Sequence, residues 1–133
     1  MTIANMRKTL YQTLTASSGP LYNIPTRQPM SDRPAAASTW AVIANEGESL
    51  VSERDPGRTR AYFRIYIYKN TDDETELDAM AAAVKAALHE KLISGTGTGR
   101  ARFTWLSTTP PYYAEEYGCR AVDLLFRTLR TEI

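Results

Sequence analysis

The residues of this sequence that could do chemistry are few, and each has a structural reading beside the chemical one. Gly95, Gly97 and Gly99 are spaced like a loop that wraps a phosphate. Such a loop follows a strand and opens a helix, so that backbone amides and the helix dipole meet the anion. Here a helical pattern precedes the glycines, a strand pattern follows, and no Gly-Lys-Ser/Thr is present, so the run reads as a linker. His89 is the single histidine and lies beside the apolar stripe of its helix. One imidazole cannot make a multi-histidine metal site, and no serine or cysteine motif marks it as the base of a triad. Asp72, Asp73, Glu74, Glu76 and Asp78 lack the register of a calcium-binding loop, and acids at a helix start already complement the macrodipole. Glu115 and Glu116 form an adjacent pair in a loop between tyrosine-bearing segments. A hydrolase needs two carboxyls in a cleft with separated pKa values, and nothing else in the sequence points there. These comparisons predict no catalytic, cofactor-binding or metal-ligating residues, hence no enzyme and no cofactor.

Two further groups point to binding rather than reaction. Arg58, Arg60, Arg100 and Arg102 flank the starts of predicted strands, where they could touch nucleic acid or a protein partner. With 16 basic and 15 acidic residues the formal net charge is +1, which gives no global field to attract nucleic acid or an anionic membrane. A solvated or interface role is the better reading of these arginines. The second group is Tyr62, Arg64, Tyr66 and Tyr68, one face of a predicted strand whose other face is Phe63, Ile65 and Ile67. Tyrosine and arginine combine large contact area with polar tips and are enriched where interfaces concentrate their energy. That face is therefore the expected subunit interface, its alternative being the wet side of a sheet.

The charge is also segregated. Residues 1–40 carry a net +3, residues 41–93 a net −3 and the remainder +1. A chain that assembles head to tail can use such a dipole. Length, at 133 residues, suits one domain (1–133) with its own core. One cysteine, Cys119, excludes an internal disulfide and a multi-thiolate metal site. No stretch approaches the ~20 consecutive apolar residues of a membrane span, and the opening MTIANMRKTLYQTL lacks the unbroken apolar core of a signal peptide.

The elements that must position these residues follow from hydrophobic periodicity. Ile3, Met6, Leu10 and Leu14 line one face of an opening helix, which Ser17-Ser18-Gly19-Pro20 ends. Residues 20–37 hold Pro20, Pro25, Pro29 and Pro34 and read as an extended connection, with Leu21, Tyr22 and Ile24 anchoring its start. Strands are predicted at about Ser38–Asn45 and Arg60–Lys69. Between them residues 46–59, with a turn signal at Asp55-Pro56-Gly57, read as a long polar loop. Glu53, Arg54, Asp55 and Arg58 in that loop are expected to be mobile in the free subunit and to order on assembly. A second helix starts with Thr75 as N-cap and Asp78 completing a capping box, and its stripe of Leu77, Met80, Ala81, Val84, Leu88 and Leu92 runs to about Ile93. Two more strands are predicted at about Arg100–Thr108 and Cys119–Thr128, separated by Pro110-Pro111 and a turn over Tyr112–Gly118. The expected fold is α+β: a small sheet of about four mainly antiparallel strands, two helices packed on one face and long inter-strand loops.

With these segments in place, the chain resembles the tail-terminator, or tail-completion, proteins of long-tailed bacteriophages. The resemblance lies in the order of an opening helix, the connection TRQPMSDRPAAAS, the strands TWAVIAN and RAYFRIYIY, the helix ELDAMAAAVKAALHEKL and the closing strands RARFTWLST and GCRAVDLLFRTL. It spans nearly the whole chain and contains no short diagnostic motif. It implies a non-enzymatic structural protein of the virion, made in the host cytoplasm, that forms a homo-oligomeric ring, usually a hexamer, on the finished tail tube. Its partners would be itself, the tail tube protein and a head-completion or connector protein, with no membrane and no specific nucleic acid. Another head–tail connector is the alternative within that class; a small ligand- or nucleic-acid-binding α+β module is the alternative outside it.

Overall fold

The computed structural model describes residues 3–27, 38–52, 54–94 and 100–131, with the backbone alone for residues 27, 55, 56, 130 and 131. Most of the proline-punctuated connection, with Pro29 and Pro34, lies outside the described residues, as do Glu53 and the glycines Gly95, Gly97 and Gly99.

Helix α1 (Ile3–Thr15) buries Met6, Thr9, Leu10 and Leu14. Past its end the chain turns back, so that the Leu21 amide donates to the Leu14 carbonyl at 2.9 Å. Leu21 is then fully buried under the helix end, whereas Tyr22, expected beside it as an anchor, is 52% exposed. Strand β1 (Thr26–Arg27) runs parallel to β2 (Thr39–Ser52), which forms a long antiparallel hairpin with β3 (Asp55–Lys69). Helix α2 (Glu74–Leu88) follows, then β4 (Leu92–Ser94), β5 (Arg100–Thr108), β6 (Tyr112–Ala114) and β7 (Cys119–Thr131). Six strands lie in the order β1-β2-β3-β7-β5-β4, and β6 also pairs with β7.

The class is thus α+β, but the sheet is larger than the expected four strands. The additions β1, β4 and β6 are two or three residues long, too short to show an alternating pattern. β6 prolongs β5 along the same edge of β7, with Pro110-Pro111 interrupting the pairing between Thr108↔Leu124 and Tyr112↔Ala121. Proline has no N–H to give a ladder, so the sequence correctly showed a break there and hid the resumption.

The largest correction concerns residues 46–59, which are not a loop. Strand pairing continues through Glu48↔Ala61, Ser49↔Arg60 and Leu50↔Thr59 to Ser52↔Asp55, and β7 extends alongside as far as Arg58↔Thr131. Arg54 sits in the tight turn, while Asp55 and Arg58 belong to β3. The ribbon projects past the core, so Asn45 to Leu50 are all exposed and no hydrophobic alternation marks it. Its irregular residues sit at bulges. Gly47 takes φ 110° beside the register shift after Asn45, whose side chain accepts the Gly47 amide at 2.8 Å. Pro56 falls opposite the second shift, between Leu50 and Ser52, where a missing N–H disrupts no ladder bond.

Helix α2 also begins and ends differently. Its N-cap is Asp73, whose carboxylate accepts the Thr75 amide, in place of the expected Thr75 and Asp78 box. It stops at Leu88 with His89 as C-cap, and Leu92 and Ile93 pass into β4. Both helices cover the sheet face of Ile43, Phe63, Ile65, Ile67, Val122, Leu124 and Phe126, forming one contiguous core. Burial of aromatic and branched side chains there, at roughly 1.5–3 kcal/mol each, is the main stabilising term of the fold.

Candidate functional site

Strand pairing places the remaining side chains of β3 on the opposite, outer face of the sheet. The cross-strand row Trp40, Tyr68, Ala121, Tyr112 runs across β2, β3, β7 and β6. Trp40 stacks on Tyr68 with ring centroids 5.1 Å apart, and Tyr117 from the β6–β7 turn meets both rings edge-on at 5.7 and 5.0 Å. Tyr117 packs against the cluster that these residues form with Ala121. The result is a second hydrophobic core of Trp40, Val42, Tyr68, Cys119 and Ala121. Tyr68 is only 6% exposed. It is therefore withdrawn as an open interface residue, because its own chain already covers it. Burial, then the neighbouring Tyr112 and Tyr117, pushes its phenol well above the ordinary tyrosine range.

Beside this core lies a polar network. Arg64 donates to Asp123 at 2.5 Å and to Glu46 at 3.2 Å, and the Tyr112 hydroxyl donates to the other Asp123 oxygen at 3.1 Å. Tyr66 reaches Glu46 at 3.4 Å and stacks parallel to Tyr68. The Asp123 side chain is 8% exposed, so the guanidinium and the phenol are what make burying its charge tolerable. Burial would lower the Arg64 pKa, but the hydrogen bond and charge of Asp123 outweigh it and the pKa is raised. Tyr66 is raised by burial and by Glu46. Of the four predicted interface residues, Tyr62, Arg64 and Tyr66 stay partly open, and Arg64 is committed to its own subunit's acids.

Toward the ribbon the outer face changes character. Arg58, Arg60, Arg100, Arg102 and Arg127 line a groove of about 430 Å³, and among the described residues its lining includes no acidic side chain. Register explains the convergence: Arg60 faces Leu129, Tyr62 faces Arg127, and Arg127 faces Thr104 two residues beyond Arg102. Neighbouring strands lie about 4.8 Å apart, which brings guanidinium groups from three strands over one patch. None of the five arginines is ion-paired among the described residues. Four of them stood out in the sequence as strand-flanking cations. Arg127 did not, although it continues the alternation of Asp123 and Leu125 along β7.

The other candidates stay apart. Nδ1 of His89 accepts the Trp105 amide at 3.0 Å, a structural link between the end of α2 and β5. Glu115 and Glu116 are exposed in the turn after β6, at the rim of a second groove lined by Tyr66, Tyr112 and Tyr117. Among the acids at the α2 start, Glu74 pairs with Arg120 at 3.1 Å and Glu76 with Lys69 at 3.3 Å. Among the described residues no group of three or more His, Cys, Asp or Glu is placed to hold a metal, and no helix is long and apolar enough to cross a membrane.

Comparison with known proteins gives likeness in structure alone. No family model matches the chain, and no curated protein matches its sequence. A chain from the virion of a native gene transfer agent particle is 20% identical, with a TM-score of 0.73 over 97% of this chain and 96% of that one. A second solved structure is 15% identical, with a TM-score of 0.61 over 98% of this chain and 92% of that one. Near-complete coverage of both partners makes the likeness one of whole folds rather than of a shared fragment.

Proposed function

We propose that this protein is a structural component of a phage-type virion and acts as its tail terminator. It forms a ring, a hexamer, on the end of the finished tail tube, stops further polymerisation and offers the surface to which the head joins. The reading rests on one observation: end-to-end likeness of fold to a chain of a gene transfer agent virion, covering 97% and 96% of the two chains. The outer sheet face agrees with it. An uncovered run of arginines beside partly open tyrosines is chemistry for holding protein. Its partners in this reading are further copies of itself, the tail tube protein and a head-completion or connector protein, and its place is the tail–neck region of the particle.

The test is genetic and visual. Deleting the gene from its particle-forming locus should give tails of uncontrolled length, detached from otherwise complete heads, when particles are viewed by negative-stain electron microscopy. Supplying the gene in trans should restore uniform tails. Tails of normal length without joined heads would move the protein to a different neck position, and intact particles would defeat the reading.

A further inference from the structure

The arginine groove has a complement on the same chain, at the far end of the same sheet face. β7 runs from Cys119, next to the Glu115–Glu116 turn, to Arg127 and Leu129 at the groove. At about 3.3 Å per residue this separates the two patches by roughly 30 Å, too far for contact within one subunit. Tyr113 projects from the acidic end at 59% exposure, with Glu115 and Glu116 exposed beside it.

We propose that the arginine groove of one copy receives residues 113–116 of the next copy, so that each ring contact joins the basic end of one sheet to the acidic end of its neighbour. This deepens the terminator reading and rests on it. The contact is heterologous, since different patches meet, and a heterologous contact repeated about a closed rotation makes a ring. Guanidinium groups suit both parts of the ligand: they bind carboxylates through paired hydrogen bonds and stack on an aromatic face. A tyrosine flanked by glutamates presents both. Five clustered arginines with no ion pair among the described residues leave their hydrogen-bond donors open to an anionic surface. Nucleic acid is the competing ligand for such a groove. A net charge of +1 and a matching acidic patch on the same chain favour the second copy.

Charge reversal tests this. Arg58→Glu, Arg60→Glu and Arg102→Glu together turn the five-arginine groove acidic, and Glu115→Lys with Glu116→Lys turns the loop basic. Each of the two variants should remain folded by circular dichroism and require on the order of 100-fold more protein to assemble in light scattering. Mixed in equal amounts, they should assemble again, because alternating copies meet first through the native pair and then through the reversed pair. An even-numbered ring closes that way without a mismatched contact. Should that groove variant misfold, Arg58→Glu, Arg100→Glu and Arg102→Glu reverse the same groove at three exposed positions. Variants that assemble like the unaltered chain overturn the proposal, as does a mixture that stays dissociated. Unchanged assembly with lost retention on duplex DNA would reassign the arginines to phosphate. An unaltered protein that is monomeric at every concentration would also overturn the contact, and the tail-length assay then decides the terminator reading separately.

Discussion

Replacing Tyr68 with alanine distinguishes a second core from an open interface. The ring is 6% exposed, stacked on Trp40 at 5.1 Å and met edge-on by Tyr117 at 5.0 Å. Truncating a buried aromatic costs about 3–5 kcal/mol, through lost transfer energy and the cavity left behind. Each lost aromatic pair adds about 0.5–1.5 kcal/mol. The rigid sheet beneath Tyr68 cannot collapse into the gap, so the expected loss is about 4 kcal/mol, a large share of the ~5–15 kcal/mol that holds a domain together. Urea unfolding followed by tryptophan fluorescence should show a midpoint lowered by about 2 M. Tyr62→Ala, a half-buried position on the same strand face, is the control and should cost under about 1 kcal/mol. If Tyr68→Ala leaves the midpoint in place and weakens only self-association, the second core is not a core and the outer face is open as the sequence suggested.

Asp123→Ala should cost about 2 kcal/mol in the same assay, because it strands the Tyr112 hydroxyl and half of the Arg64 fork. The loss stays moderate since Arg64 keeps Glu46 at 3.2 Å and is 26% exposed; a change below about 0.5 kcal/mol would mark the pair as a solvated one. Tyr68 and Tyr112 both have phenol pKa values raised by burial, Tyr112 also by the nearby Asp123. A raised folded-state value means their contribution is complete below the unfolded pKa of about 10 and is lost as pH rises above it. Stability to thermal unfolding should therefore fall steeply above pH about 10, and Tyr112→Phe should blunt that fall. Gly47→Ala meets no atom within 4 Å, so its cost is backbone strain at φ 110°, about 2 kcal/mol at the ribbon bulge, measured as a shift in urea midpoint.

Local pattern determined the parts of this protein that obey a period. The alternation of Tyr62 to Tyr68 announced a strand with unlike faces, and the recurrence of Leu77, Ala81, Val84 and Leu88 announced a helix with one buried stripe. Both hold because periodicity is a property of neighbours along the chain. What covers each face is not. Phe63, Ile65 and Ile67 meet the helices, yet Tyr68 on the other side is buried as well, by Trp40 from β2 and Tyr117 from a turn. The ribbon from Glu46 to Thr59 escaped notice because it stands clear of the core, and pairing by backbone hydrogen bonds alone imposes no hydrophobic rhythm on a sequence. Register decided the rest. Arg64 and Asp123 are 59 positions apart and meet at 2.5 Å. The arginines of β3, β5 and β7 share a groove only because those strands lie side by side in the sheet. No window of sequence contains these pairings, since register depends on which distant strands bury the same face.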